Sequence, residues 1–261
     1  MTGIEMGLEI VGAMLVGLAL GLLGAGGSII TVPVLVYVVG EAPKAAIAES
    51  LLIVATIAAV AAFHYQRARL IDWRNAVLLG VPGMLGAFGG AALASFVSGR
   101  AQMILFACIA FAAAIRMLTM RDLAEATLAD RRPAWQPIVA GLGVGVITGL
   151  VGVGGGFLLI PALVVLLGLP MRRAVGTSLA IIAANGLVGF AKHWHTLQAT
   201  DTEIHWNVVA LFAALGVVGS IAGTWLSPRL PQRALRLTFA WVLVAVSIGT
   251  LLTQMIGSTQ T

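Results

Sequence analysis

Apolar residues run through this chain in ten segments, and polar residues are confined to the short stretches between them. Five segments lie in the first half, at 8–23, 28–39, 45–64, 76–97 and 101–120. Five lie in the second, at 137–151, 156–167, 174–190, 206–226 and 235–255. A helix needs about 20 apolar residues to cross ~30 Å of hydrocarbon, so the third, fourth and fifth segments of each half are predicted to span. The second segment of each half has only 12 residues, about 18 Å of helix, and cannot span alone. The first segments are short as well. Each first–second pair is therefore predicted to form a broken or re-entrant hairpin whose turn lies inside the membrane. Irregular backbone survives there only where protein or a water-filled cavity surrounds it. Residues 1–120 and 137–261 are read as two transmembrane repeats joined by a polar linker, 121–136, within one membrane domain.

The two halves repeat each other. Residues 17–51 laid over 145–179 without a gap are identical at 13 of 35 positions, among them Gly21/Gly149, Gly24/Gly152, Gly26/Gly154, Gly27/Gly155, Pro33/Pro161 and Ser50/Ser178. Glycines that interrupt duplicated apolar segments are a pointer to the binding site of a transporter built from repeats.

Charge gives the orientation. If the segments alternate in direction, twelve arginines fall in the loops of one side, against Lys44, Arg100 and Lys192 on the other. The arginine-rich side is expected in the cytoplasm and both termini outside. Five segments per half is an odd number, so the second half enters from the opposite face. The fold class expected is all-α integral membrane, with two inverted-topology repeats of five segments each.

Composition agrees. The chain is 60% hydrophobic and 10% charged over 261 residues, with a mean hydropathy of +1.04, too little polar surface to cover a soluble domain. The net charge of +5 belongs to loop arginines, so no nucleic-acid partner is expected. A lone cysteine, Cys108, builds neither a disulfide framework nor a metal cluster and is read as packing. No cofactor or metal is expected. The apolar run that begins at residue 8 recurs in mid-chain, so no cleaved leader is expected either.

The candidate chemistry sits at the glycine turns, Gly24-Ala-Gly-Gly-Ser28 and Gly152-Val-Gly-Gly-Gly156. Each precedes a short helix, whose first N–H groups and dipole would favour an anion without a buried Lys or Arg. Gly24, Gly26, Gly27, Ser28, Gly152, Gly154, Gly155 and Gly156 are the backbone candidates. The G-x-x-x-G steps Gly17/Gly21, Gly145/Gly149, Gly86/Gly90 and Gly219/Gly223 are read instead as helix-packing surfaces. Ser50, Thr177 and Ser178 bring hydroxyls to the third segments, where they either meet an oxyanion or bond their own helix. Asn185 is the amide of the second of these segments and faces either the site or a neighbouring helix. Glu49, a carboxylate within an apolar segment, costs on the order of 3 kcal/mol at mid-membrane. It is a candidate for proton coupling; the plainer alternative is that it reaches the interface one turn from Lys44. His64, His193, His195 and His205 end segments in polar surroundings and are read as anchors or gates rather than ligands, with His64 the gating candidate. Catalytic signatures (H-E-x-x-H, G-x-S-x-G, a P-loop) are absent, and no enzyme activity is expected.

The paired glycine turns with Pro33 and Pro161, together with Arg173-Ala-Val-Gly-Thr-Ser-Leu179, His64-Tyr-Gln-Arg-Ala-Arg-Leu-Ile-Asp-Trp73 and the run 83–90, resemble the TauE/SafE sulfite exporter family across roughly residues 10–250. The resemblance implies a permease for sulfite, sulfonates or related anions. The first half has Glu49 where the second has Thr177, so the half-sites differ chemically. The expectation is a secondary transporter of the inner membrane that moves a small sulfur oxyanion or organosulfonate outward by alternating access. Its partners are that anion, the lipid bilayer, a proton as coupling ion and a second copy of the chain. An anion channel and a non-transporting assembly protein are the alternatives.

Overall fold

A computed structural model describes residues 3–256 apart from 26, 28–30, 33, 95, 121–132, 152–155 and 199–203. All regular structure among them is helical. The long helices are α1 (Gly3–Leu23), α2 (Pro43–Arg67), α3 (Trp73–Ala94), α4 (Gly99–Thr119), α5 (Trp135–Val151), α7 (Met171–Gln198), α8 (Trp206–Leu226) and α9 (Gln232–Ile256), with the short α6 (Gly156–Pro161) between α5 and α7. Six stretches are long and apolar enough to cross a membrane: Ala45–Arg67, Trp73–Ala94, Arg100–Thr119, Met171–Ala191, Trp206–Arg229 and Gln232–Leu251. The protein is an all-α, multi-pass membrane protein.

The burial pattern is that of helices in lipid. Along α4, Phe106, Ala107, Ala110, Ala114 and Met117 are buried at helical spacing, while Ile104, Phe111 and Ile115 face outward. Both stripes are apolar, so the side turned away from the protein meets hydrocarbon rather than water. Cys108 lies on the outward stripe, which corrects its reading as packing. Trp73, Trp135 and Trp206 stand exposed at the first positions of α3, α5 and α8, as interfacial anchors do.

The chain divides into two compact units that cut across its halves. One holds residues 1–72 and 175–230, the other 73–174 and 231–261. In the first, α1 packs against α8 and α8 against α2. In the second, α3 packs against α5 and α9 against α4. Glycine decides both principal crossings. A Cβ on Gly17 or Gly21 would enter the backbone of Gly216 or Ser220 on α8; a Cβ on Gly145 or Gly149 would enter that of Gly83 or Ala87 on α3. Gly219 and Gly223 approach α1 in the same way, as Gly86 and Gly90 approach α5. Backbones this close gain dispersion contact that bulkier residues would forbid, the main attraction available between helices in lipid. The G-x-x-x-G steps therefore act as packing surfaces.

Within the first unit the chain doubles back after α1. A Cβ on Gly27 would meet Leu20 and the Val16 carbonyl, and one on Gly12 would lie 3.2 Å from Val34. Gly27 thus lies beside Val16 and Leu20, and Val34 beside Gly12 further back along α1, so the chain returns along the helix and the first two segments make a hairpin. The returning arm ends in a π-helical turn, Leu35–Val39, capped by Gly40 at φ 85°. Its repeat, Ala162–Leu166, is also π-helical and leads to Gly168 at φ 65°. Pro161 sits at the start of that turn, and a proline ring displaces the carbonyl four residues back, which widens the helix locally.

Candidate functional site

The hairpin turn of the first unit is built from orphaned helix-end carbonyls and the hydroxyls that satisfy them. α1 stops at Leu23, and Gly24 takes φ +76°, a left-handed conformation open to glycine at little cost. The Gly24 N–H donates to Leu20 O at 2.8 Å. Tyr65 on α2 donates its hydroxyl to Gly21 O at 3.1 Å and stands 2.9 Å from Ser227 Oγ. Ser178 on α7 donates to Gly24 O at 3.1 Å while also lying 2.9 Å from Val175 O. There is no room for a side chain at the turn, since a Cβ on Gly24 would lie 2.8 Å from Ser178 Oγ and 3.0 Å from Val175 Cα. Substituting Tyr65 with Phe is expected to strand the Gly21 carbonyl at a cost of about 1 kcal/mol. Thermal melting in detergent should record it as a fall of ~2–4 °C.

α2 and α7, the third segments of the two halves, lie antiparallel along each other. Gly176 abuts the Tyr65 ring and Leu70 O, while Gly186 abuts Leu51 O and Ala55. This pairing carries the polar residues of α7. Thr177, fully buried, accepts the Asp72 N–H at 3.0 Å. The Asn185 side-chain oxygen is buried with no hydrogen-bond partner.

The structure sorts the sequence candidates. Gly24 and Ser178 meet at the turn. Gly27 is buried against α1, its carbonyl accepting from Thr31 Oγ1 at 2.7 Å. Gly156 is buried at the start of α6. Ser50, the repeat partner of Ser178, bonds only Ile47 O of its own helix, at 2.7 Å. His64 is exposed, with Nδ1 2.9 Å from Val60 O one turn back. Gly26, Ser28, Gly152, Gly154 and Gly155 lie outside the described residues.

Glu49 lies in the second turn of α2. It is fully buried, and its Oε1 accepts the backbone N–H of His205 at 2.9 Å. His205 Nδ1 in turn lies 2.8 Å from Glu41 Oε2. Sequence reasoning placed Glu49 among the candidates and missed Glu41. It took His205 for an anchor or gate. The one available signal was the arginine count, which puts the loops carrying Glu41 and His205 on the same, arginine-poor side.

Comparison with known proteins settles the family. The family described as sulfite exporter TauE/SafE matches residues 9–250. The chain belongs to it. A relative from Xylella fastidiosa, described as a probable membrane transporter protein, is 32% identical over 245 residues, covering 90% of each chain. One from Methanocaldococcus jannaschii, also described as a probable membrane transporter protein, is 24% identical over 94% of this chain and 95% of its own. A third, from Haemophilus influenzae and described in the same words, is 26% identical over 92% and 95%. No solved structure matches the chain. In this TauE/SafE family member the matched residues run from the buried face of α1 through the Gly24 turn to the last turns of α9.

Proposed function

We propose that this TauE/SafE family protein is a secondary transporter that moves a small sulfur oxyanion, sulfite or a short organosulfonate, out of the cell across the inner membrane by alternating access. The observation that carries the reading is the interrupted helix at Gly24, where a left-handed glycine and a hydroxyl from a distant helix meet inside an otherwise apolar bundle. Such breaks leave backbone N–H groups that take an anion without a buried cation. In this reading the turn at 24–28 and its repeat at 152–156 are each an anion-binding element, with Ser178, Thr177 and Asn185 supplying polar groups along α7. In this reading the halves are inverted and both termini lie outside, which the arginine distribution supports. Export is downhill for an anion, since each negative charge leaving an interior-negative cell gains about 2.3 kcal/mol per 100 mV.

Purified protein in proteoliposomes, screened for efflux of sulfite, thiosulfate, sulfate and short sulfonates, tests the reading. Saturable efflux of a sulfur oxyanion with counterflow exchange is the expected result. Flux that never saturates would indicate a channel, and no flux of any of these anions would leave an assembly role.

A further inference from the structure

The polar group that the transport reading leaves unused is Glu41, Glu49 and His205. One carboxylate oxygen from each glutamate and one ring nitrogen of the histidine all lie within 4.8 Å of one another. The three come from separate elements of one unit: the loop after the π turn Leu35–Val39, the second turn of α2, and the residue that precedes α8. Neither carboxylate is at the surface. Glu41 is 8% exposed and Glu49 is fully buried, so this is not the solvated acidic patch that needs no ion.

A second observation points to a missing positive charge. Among the described residues, Glu49 Oε2 is buried with no hydrogen-bond partner, and its other oxygen accepts from a neutral backbone N–H. A buried carboxylate so poorly matched, with a second one beside it, is costly in its charged form, and a cation shared between them removes that cost. An open hollow of about 470 Å³, walled by Glu41, His205, Val39 and Asn207, gives access and room for water ligands.

We infer that Glu41, Glu49 and His205 form a binding site for one divalent transition-metal ion of the zinc class, loaded from the arginine-poor side of the membrane. Zn²⁺ bonds nitrogen and oxygen at ~2.0–2.2 Å, so its ligand atoms stand no more than about 4.4 Å apart. Small side-chain rotations bring the three ligand atoms within that limit. An imidazole in the set selects against Na⁺, Mg²⁺ and Ca²⁺, which take all-oxygen sites, and favours Zn²⁺. The bound ion ties the exit of the hairpin to α2 and to the start of α8. It therefore stabilises the unit, whatever the chain transports.

The test uses the full chain in detergent, purified through a tag without histidine, stripped with chelator and titrated with ZnCl₂. One zinc retained per chain and a raised melting temperature are expected, with no rise at equal MgCl₂. Losing even a supporting contact weakens a metal site by about tenfold, so E41Q, E49Q and H205N should each weaken zinc binding at least that much, while H64N keeps it. If E49Q does not fold, H205N decides alone, because its side chain is exposed. Absence of retained zinc, or equal affinity in H205N and wild type, overturns the inference. In that case the 2.8 Å contact between His205 and Glu41 is an ion pair and nothing more. Since the readout is binding and melting, failure here leaves the anion-transport reading standing, and the flux screen can fail without touching this one.

Discussion

Valine in place of Gly149 is expected to destabilise the protein by about 3 kcal/mol or more, and valine in place of Gly21 to do the same at the matching crossing. At both positions the added Cβ would fall inside the contact radius of a backbone carbonyl, Ala87 O for Gly149 and Ser220 O for Gly21. Overfilling a packed site costs about 1–3 kcal/mol when neighbouring side chains can shift. A helix backbone cannot shift without separating the pair, so the cost sits at or above the top of that range. Total stability is on the order of 5–15 kcal/mol, and one substitution consumes much of it. Gly89 and Gly143 provide the contrast. They lie on the same helices, α3 and α5, yet a Cβ on either meets nothing within 4 Å. Alanine at either should be neutral or stabilise by up to about 1 kcal/mol through helix propensity. Melting curves of G149V, G21V, G89A and G143A in one detergent check this. Equal melting temperatures across the four would mean that the crossings are held by something other than close backbone approach.

Much of this arrangement was legible in the sequence, and the part that was not has a physical reason. The segment at 206–226 coincides with α8 to the residue, because Trp206 and the Leu226-Ser-Pro step mark its ends sharply. The expected segment 174–190 is longer in the structure, as α7 runs from Met171 to Gln198. A hydropathy pattern follows the lipid boundary, whereas a helix continues past it into polar residues such as Lys192 and Gln198. Likewise α2 extends through His64 to Arg67, and α5 begins at Trp135, inside the stretch read as linker. The glycine steps were correctly read as packing surfaces, but periodicity says nothing about which helix each one meets. That α1 pairs with α8 and α3 with α5 depends on non-local fit. The same limit hid the company of Glu49. A buried carboxylate announces itself in an apolar run, yet the fold alone turns the nearby Glu41 towards it and brings His205 to it from 156 residues away.

Gly24→Ala is expected to abolish most transport in a protein that still folds. An L-residue held in the left-handed region costs about 1–2 kcal/mol, and here the new methyl also meets Ser178 Oγ at 2.8 Å and Val175 Cα at 3.0 Å. The turn must open to relieve both, which moves the very carbonyl and amides proposed to face the anion. A fall in sulfite efflux of at least tenfold, on the order of the 1–2 kcal/mol of misplaced geometry, should accompany a modest drop in melting temperature. Two further variants separate backbone conformation from crowding. Gly24→Asn keeps a residue that tolerates positive φ but retains the steric conflict, so it should transport poorly too. Ser178→Ala leaves the turn in place and removes only the hydroxyl that braces it, so its loss should be milder and should appear in the affinity for the anion if Ser178 touches it. Combining Ser178→Ala with Gly24→Ala removes the shorter of the two clashes and should recover part of the lost flux, because residues in contact do not act additively. Full-rate efflux from the Gly24→Ala protein would move the anion site away from the interrupted helix altogether.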